Sequence, residues 1–177
     1  MDNSIFNRYA IALLDLSIED NKVREYREEI KVLMSVFKEN HDFIKLLSSK
    51  ILSTNEVYSF VDEVFSSCLE NIKTFIKVIY INGRIFYLYQ IFKETLYRFD
   101  DYLKIERGTF YSPDEISDDD YKKIVSKIEE EIKKTLDLKR VIDKSLIGGF
   151  KIELKNDIYD TSIKQKIQNL KQELNKE

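Results

Sequence analysis

The sequence predicts a mainly α protein in which an N-terminal helical bundle is followed by a small α/β domain. Only four glycines and one proline occur among 177 residues, and both residue types are unfavourable inside helices. Apolar residues recur three and four positions apart through the first hundred residues, which is the spacing of amphipathic helices. Short runs that alternate apolar and polar residues, as half-buried strands do, appear only after residue 104. We therefore expect a six-helix antiparallel bundle over 1–104 and an α/β domain over 105–177.

The breaks between the predicted helices of the bundle carry residues that begin or end helices. Asp20 and the asparagine after it interrupt the first apolar pattern. Ser53 followed by Glu56 is typical of a capping box, in which each side chain accepts from the other residue's backbone N–H. Gly83 ends the fifth helix, because glycine adopts the left-handed conformation at little cost. The short connections that remain favour antiparallel neighbours.

The last third of the chain predicts a helix, a hairpin and a closing helix. Ser117 precedes three aspartates, and a hydroxyl followed by negative charge stabilises a helix start. Residues 150–155 alternate apolar and charged side chains, which predicts a strand, and a turn at 156–157 returns the chain along 158–159. Asp160 begins a closing amphipathic helix.

Composition argues against several classes of function. The net charge of −3 is spread over both halves, so neither half binds nucleic acid by neutralising phosphates. One histidine (His41) and one cysteine (Cys68) supply too few ligands for a zinc-type site. The glycine pair at 148–149 opens onto a strand, whereas phosphate-cradling loops open onto a helix. We therefore expect no catalytic residue, cofactor or metal, and thus no enzyme.

Targeting features are missing from the sequence as well. The N-terminus shows no basic segment followed by an apolar core, so no signal peptide is predicted. No apolar run approaches the roughly 18 residues that a membrane span needs. We expect a cytoplasmic protein that does not insert into a membrane and reaches one only through its partners.

Three segments, matched in order and spacing, carry a resemblance to a known family. Residues 8–14 contain a Tyr-Ala-x-Ala-Leu pattern, residues 81–84 contain Asn-Gly-Arg, and residues 141–150 contain Ser-Leu-Ile-Gly-Gly. Together with the closing helix over 160–170, they resemble the delta subunit of bacterial ATP synthases. The mitochondrial counterpart of that subunit confers oligomycin sensitivity. The resemblance covers essentially the whole chain.

The resemblance implies a function and two partners. The chain would be a non-catalytic stator subunit of a rotary proton-translocating ATP synthase, held peripherally at the cytoplasmic side of the cell membrane. Its N-terminal domain would bind the N-terminal segments of alpha subunits on the catalytic head. Its C-terminal domain would bind the b subunits of the peripheral stalk, and the whole would resist the torque of the rotor.

Two apolar surfaces are candidate partner-binding sites. A partner helix would dock into a groove between bundle helices, where Ala12 would allow a close approach and Tyr9 would serve as an aromatic anchor. Packing within the bundle explains both residues equally well. The candidates for the groove are Ile5, Tyr9, Ala12, Leu13, Phe75, Ile76 and Ile79, and for the last three the spacing favours core packing over the groove. The candidates for the stalk contact are Ile163, Ile167, Leu170 and Leu174, which packing against the sheet of their own domain explains equally well.

Two alternative functions remain open from the sequence alone. The first is a helical-bundle adaptor that is unrelated to ATP synthase and docks a different partner in the same way. The second is a small enzyme that holds a divalent cation at the aspartates 118–120, although helix capping explains these residues without a metal.

Overall fold

The computed structural model describes residues 3–48 and 52–167. The chain divides into two compact units, Met1–Leu103 and Lys104–Glu177, and each is described by itself. The first is helical and the second contains a four-stranded mixed sheet, in agreement with the mainly helical fold that the sequence predicts. Within the described ranges, every helix falls short of the length and hydropathy that a membrane span requires.

The first unit is a succession of helices with short connections, and its observed breaks coincide with the predicted ones. At one break, the backbone N–H of Ser53 donates to Glu56 Oε2 over 2.8 Å, and the Ser53 hydroxyl accepts from the Glu56 backbone N–H. This is the predicted capping box. The helices are α1 (Asn3–Glu19), α2 (Val23–Glu39), α3 (His41–Ser48), α4 (Thr54–Val64), α5 (Glu70–Ile81) and α6 (Leu88–Leu103), with a 3₁₀ turn over Ile85–Tyr87.

A column of aromatic rings runs through the core of the first unit. Phe92 of α6 stacks on Phe37 of α2, with ring centroids 5.8 Å apart, and on Phe75 of α5 at 6.2 Å. Phe37 in turn meets Phe65 edge-on at 6.0 Å. Each such pair contributes about 0.5–1.5 kcal/mol beyond the burial of its area. The column therefore joins α2, α5 and α6.

A buried ion pair joins α2 to α6 elsewhere in this core. Arg27 Nε donates to Asp100 Oδ1 over 2.7 Å, and the two side chains are only 4% and 7% exposed. Arg27 Nη1 also donates to the carboxylate of Glu28. Charges this far from water require such partners, because each is costly to bury alone.

The second unit is built on a parallel pair of strands joined by a helix. β1 (Ile105–Ser112), α7 (Asp118–Ile132) and β2 (Thr135–Ile142) form this crossover unit, and the hairpin of β3 (Lys151–Leu154) and β4 (Ile158–Asp160) adds antiparallel to β1. The strand order is β2-β1-β3-β4. The core lies between α7 and the sheet and contains Phe110, Val125, Ile128, Leu136, Ile152 and Leu154.

The hairpin was expected from the sequence, whereas β1 and β2 were not recognised as strands. β1 carries Glu106 and Arg107 near its start, which obscures the alternating pattern. Its Gly108 is required by the close approach of β3, since a Cβ there would lie 2.4 Å from the carbonyl oxygen of Glu153. The residues of β1 alone do not show that β3 comes this close, so the reason for a glycine at this position was not predictable.

We expect Asp100→Ala to lower the free energy of unfolding by about 1.5–3 kcal/mol, because it removes the buried carboxylate partner of the Arg27 guanidinium and leaves the largely exposed carboxylate of Glu28. Urea denaturation followed by circular dichroism measures the change. Asp101→Ala, at the exposed neighbouring position, serves as the matched control and should stay within about 0.5 kcal/mol of the parent. Equal stabilities of the two variants would contradict the role of the ion pair.

Candidate functional site

An open groove of about 450 Å³ lies between α1 and α5 in the first unit. The two helices run antiparallel along it, since Tyr9 of α1 meets Phe75 of α5 while Asp20 meets Asn71. The groove is lined by Ile5, Arg8, Tyr9, Ala12, Leu13 and Leu16 of α1, by Asn71, Thr74, Phe75 and Val78 of α5, and by Arg84.

The contribution of α1 is a stripe of residues on one helical face. Ile5, Tyr9, Ala12 and Leu16 recur at intervals of three and four, so they lie above one another along the groove. Ala12 is exposed there, whereas Ala10 is fully buried in the core. The two alanines of the chain therefore lie on opposite faces of α1. Of the two, Ala12 faces the groove, where its small side chain takes up little space.

The contribution of α5 differs from the sequence prediction. Phe75 and Val78 line the groove, but Ile76 and Ile79 are fully buried and belong to the core. The structure thus places these two predicted partner-binding residues on the core side of α5, about 90° (Ile79) and about 150° (Ile76) around the helix from the centre of the groove-facing stripe. The sequence did not nominate six of the residues that line the groove, namely Arg8, Leu16, Asn71, Thr74, Val78 and Arg84. Among them, the 42% exposure of Val78 is not deducible from periodicity, because its neighbours are also apolar.

Arg84 holds one end of the groove together. Its Nη1 donates to Tyr9 Oη over 2.7 Å, and its guanidinium carbon lies 5.6 Å from the centroid of the Tyr9 ring. Phe75 supports the same ring from the other side, edge-on at 6.0 Å. The Tyr-Ala and Asn-Gly-Arg segments, 75 residues apart in the chain, thus meet at one place.

The turn after α5 is what directs Arg84 toward Tyr9. The Arg84 N–H donates to the carbonyl of Ile79 over 3.0 Å and the Gly83 N–H donates to that of Tyr80 over 2.8 Å, which is the Schellman pattern of a helix end. Gly83 has a φ of +67°. Glycine meets this requirement at little cost, so the sequence correctly placed the end of the helix.

A second polar cluster ties α1 to α5 at the opposite end of the groove. Asn71 Nδ2 donates to Asp20 Oδ2 over 2.8 Å and to Tyr26 Oη over 2.9 Å, and the Tyr26 hydroxyl donates to Asp20. The hydrogen bonds from Tyr26 and Asn71 lower the pKa of Asp20. Burial, followed by the hydrogen bond to Asp20, raises the pKa of Tyr26 to about 12. The groove is therefore tied at both ends and open between them.

The candidates for the second partner site lie on the closing helix of the second unit. Ile163 and Ile167 are 43% and 42% exposed and lie one turn apart on one face. Leu170 and Leu174, the other two candidates, lie outside the described residues. Gly149 precedes this helix in the fold with a φ of +79°, and a Cβ there would lie 2.6 Å from the carbonyl oxygen of Thr161. Gly149 of the Ser-Leu-Ile-Gly-Gly segment is thus required by the backbone, whereas a Cβ at Gly148 would meet only the side chain of Ile163.

The triple aspartate has a structural explanation. The Ser117 hydroxyl accepts from the Asp120 backbone N–H as the cap of α7, and Arg140 donates to Asp118 over 2.7 Å. That hydrogen bond lowers the pKa of Asp118. In the part of the chain that the structure describes, no three His, Cys, Asp or Glu side chains come close enough together to hold a metal ion. Cys68 is half-buried, and burial raises the pKa of its thiol.

A helical unit that carries an open, mostly apolar groove, followed in the chain by a small mixed-sheet unit, is typical of a connector that works by binding other proteins. Comparisons with known proteins agree. The family model described as ATP synthase delta (OSCP) subunit matches residues 5–174. The chain is 32% identical over 171 residues to the ATP synthase subunit delta of Mycoplasma mobile, covering 94% of this chain and 93% of that protein.

A second relative and a solved structure extend the comparison. The ATP synthase subunit delta of Clostridioides difficile is 32% identical over 179 residues, covering 98% of this chain and 97% of the relative. A chain in the cryo-EM structure of the Toxoplasma gondii mitochondrial ATP synthase hexamer has the same fold, with a TM-score of 0.63, 13% identity and 96% coverage of both chains. This protein belongs to the ATP synthase delta (OSCP) subunit family. Its role is that of a non-catalytic stator subunit.

We expect the stability of the protein to fall between pH 10 and pH 12. Tyr26 loses its proton near pH 10 in the unfolded chain but near pH 12 in the folded protein, so its contribution is complete below pH 10 and is lost as the pH rises to 12. Urea denaturation across this range should show Tyr26→Phe to be less stable than the parent at pH 8, with the difference shrinking toward pH 12.

Tyr102→Phe is the matched control, because Tyr102 is 52% exposed. It should follow the parent protein at every pH. A constant difference between the parent and Tyr26→Phe from pH 8 to pH 12 would contradict the raised pKa of Tyr26.

Proposed function

We propose that this subunit links the catalytic head of an ATP synthase to its peripheral stalk and thereby resists the torque of the rotor. α1–α6 act as a six-helix antiparallel bundle that binds N-terminal segments of alpha subunits. The second unit binds b subunits of the stalk. The subunit is held in this way at the cytoplasmic side of the cell membrane, with no membrane insertion of its own.

The groove between α1 and α5 is the observation that carries the head contact. Its middle is apolar, with Ala12 on one side and Phe75 and Val78 on the other. An amphipathic helix laid along it would place its apolar stripe beside these residues, in the helix-in-groove mode of recognition. The small side chain at Ala12 leaves room for the backbone of that helix to approach α1.

Most of the polar residues of the groove lie toward its ends. Arg8 and Arg84 lie at one end and Asn71 at the other, while Thr74 lies between them. A helix bound between them keeps its apolar residues in the middle and its polar residues near hydrogen-bonding groups. This arrangement favours a single lengthwise position of the helix, which suits a connector that must hold its partner without slipping.

The stalk contact rests on the exposed face of the closing helix. Ile163 and Ile167 leave a large part of their apolar surface in water, and in sequence Leu170 and Leu174 continue the same spacing. A partner helix that covers this stripe would bury all four side chains. Binding through these residues is proposed on the basis of their spacing and of the exposure of the first two.

We expect Ala12→Trp to abolish binding of a peptide with the N-terminal sequence of the same organism's alpha subunit. The indole would fill the groove, weakening the interaction by about 100-fold or more, or about 2.8 kcal/mol. Isothermal titration calorimetry with the full chain measures the affinity, and circular dichroism shows that the variant is folded.

Ile11→Trp is the matched control for the groove. It places the same side chain on the same helix at a position that is 42% exposed and does not line the groove, so binding should persist. A folded parent protein that fails to bind the peptide would refute the head contact. An Ala12→Trp variant that binds as tightly as the parent would place the peptide elsewhere.

A further inference from the structure

Ile147 has a backbone conformation that isoleucine rarely adopts. Its φ is +66° and its ψ is −39°, in a region that β-branched side chains avoid on steric grounds. The described residues contain three other non-glycine residues with positive φ, and none of those is β-branched. The side chain of Ile147 is nevertheless 68% exposed, so burial of this side chain within the protein does not offset the energetic cost of the backbone strain.

The structure on both sides holds Ile147 in this conformation. Before it, the Asp143 carboxylate accepts from the Ser145 N–H over 2.9 Å, and the Leu146 side chain, only 3% exposed, anchors the turn in the unit's interior. After it, the Gly148 carbonyl accepts from the Ile163 N–H over 3.0 Å. Strain that persists because the surroundings enforce it is a feature of binding and switching sites.

Ile147 lies beside the exposed face of the closing helix. A Cβ added to Gly148 would lie 2.6 Å from Cδ1 of Ile163, so that side chain rests against the strained loop. Ile167 follows one turn later and is 42% exposed. Ile147, Ile163 and Ile167, here named the isoleucine patch, therefore offer apolar side chains to water from two adjoining segments.

The rim of the isoleucine patch carries a small excess of positive charge. Lys144, Lys164 and Lys166 are exposed and outnumber the carboxylates of Asp143 and Asp160, which accept hydrogen bonds from backbone N–H groups and keep their negative charge. A second copy of this chain on the patch would bring lysines against lysines. An amphipathic helix with acidic residues on either side of its apolar stripe would instead match both the patch and its rim.

We propose that Ile147 is the anchor of a docking surface, the isoleucine patch, for an amphipathic helix whose apolar stripe is flanked by acidic residues. This inference rests on the proposed stalk contact and identifies that helix as part of the b subunit. The strained loop raises the isoleucine out of the unit's surface so that it enters a cavity between side chains of the partner. Such buried apolar anchors dominate the affinity of interfaces of this kind.

The test combines affinity with stability in one variant, Ile147→Gly. The full chain is titrated with the water-soluble portion of the same organism's b subunit. We expect the affinity to fall by about tenfold or more. The urea midpoint should be unchanged or higher, because glycine adopts a positive φ without strain. An ordinary structural residue would lose stability on the same replacement.

Ile158→Gly is the matched control. Ile158 is 65% exposed but lies in β4 at the end of the hairpin away from Gly149 and the closing helix. We expect unchanged affinity and a lower urea midpoint, since glycine is unfavourable in a strand. Lys164→Glu should weaken binding and reduce its dependence on salt, because it removes one attractive charge from the rim.

The outcomes separate this inference from the proposed function. If the parent binds the b subunit and Ile147→Gly binds equally well, the anchor role is overturned and the stalk contact stands. A lower urea midpoint for Ile147→Gly would also overturn it, since the residue would then be part of the packing. If the parent does not bind at all, the stalk contact and the anchor fail together.

Discussion

The aromatic column is the constraint on which the groove depends. Phe92, fully buried in α6, holds Phe37 on one side and Phe75 on the other. Phe75 then supports the ring of Tyr9, whose hydroxyl is fixed by Arg84. Because interiors are close-packed, a ring in this series cannot move without displacing the next. The wall of the groove is therefore positioned by the middle of the core.

The polar ties at the two ends of the groove complete this arrangement. Asn71 and Asp20 join α5 to α1 at one end, and Arg84 joins Tyr9 at the other, so the separation of the two helices is fixed at both ends of the groove. Pre-formed sites of this kind lose less conformational entropy on binding. The second unit also combines polar ties with an exposed apolar surface, since hydrogen bonds at Asp143 and Gly148 fix the loop that carries the exposed Ile147.

The sequence predicted correctly those features whose causes lie within a few residues of one another in the chain, and it missed features that depend on distant segments. The capping box at Ser53 and the helix end at Gly83 depend on neighbours a few residues away, and both were predicted correctly. The parallel pairing of β1 with β2 was missed because its partners are far apart in the chain. The structure places Ile76 in the core and Val78 at the groove, a difference that the sequence does not show, since both are apolar and only the packing of α5 decides which faces the core.

The open groove also bears on how the subunit is produced. A copy that has not yet joined its complex keeps Val78 and Ile163 in water, and exposed apolar patches promote unspecific association. Synthesis in proportion to the other subunits would keep the concentration of such copies low. An excess of free copies would instead expose these apolar side chains, and it would fall to chaperones and proteases to remove it.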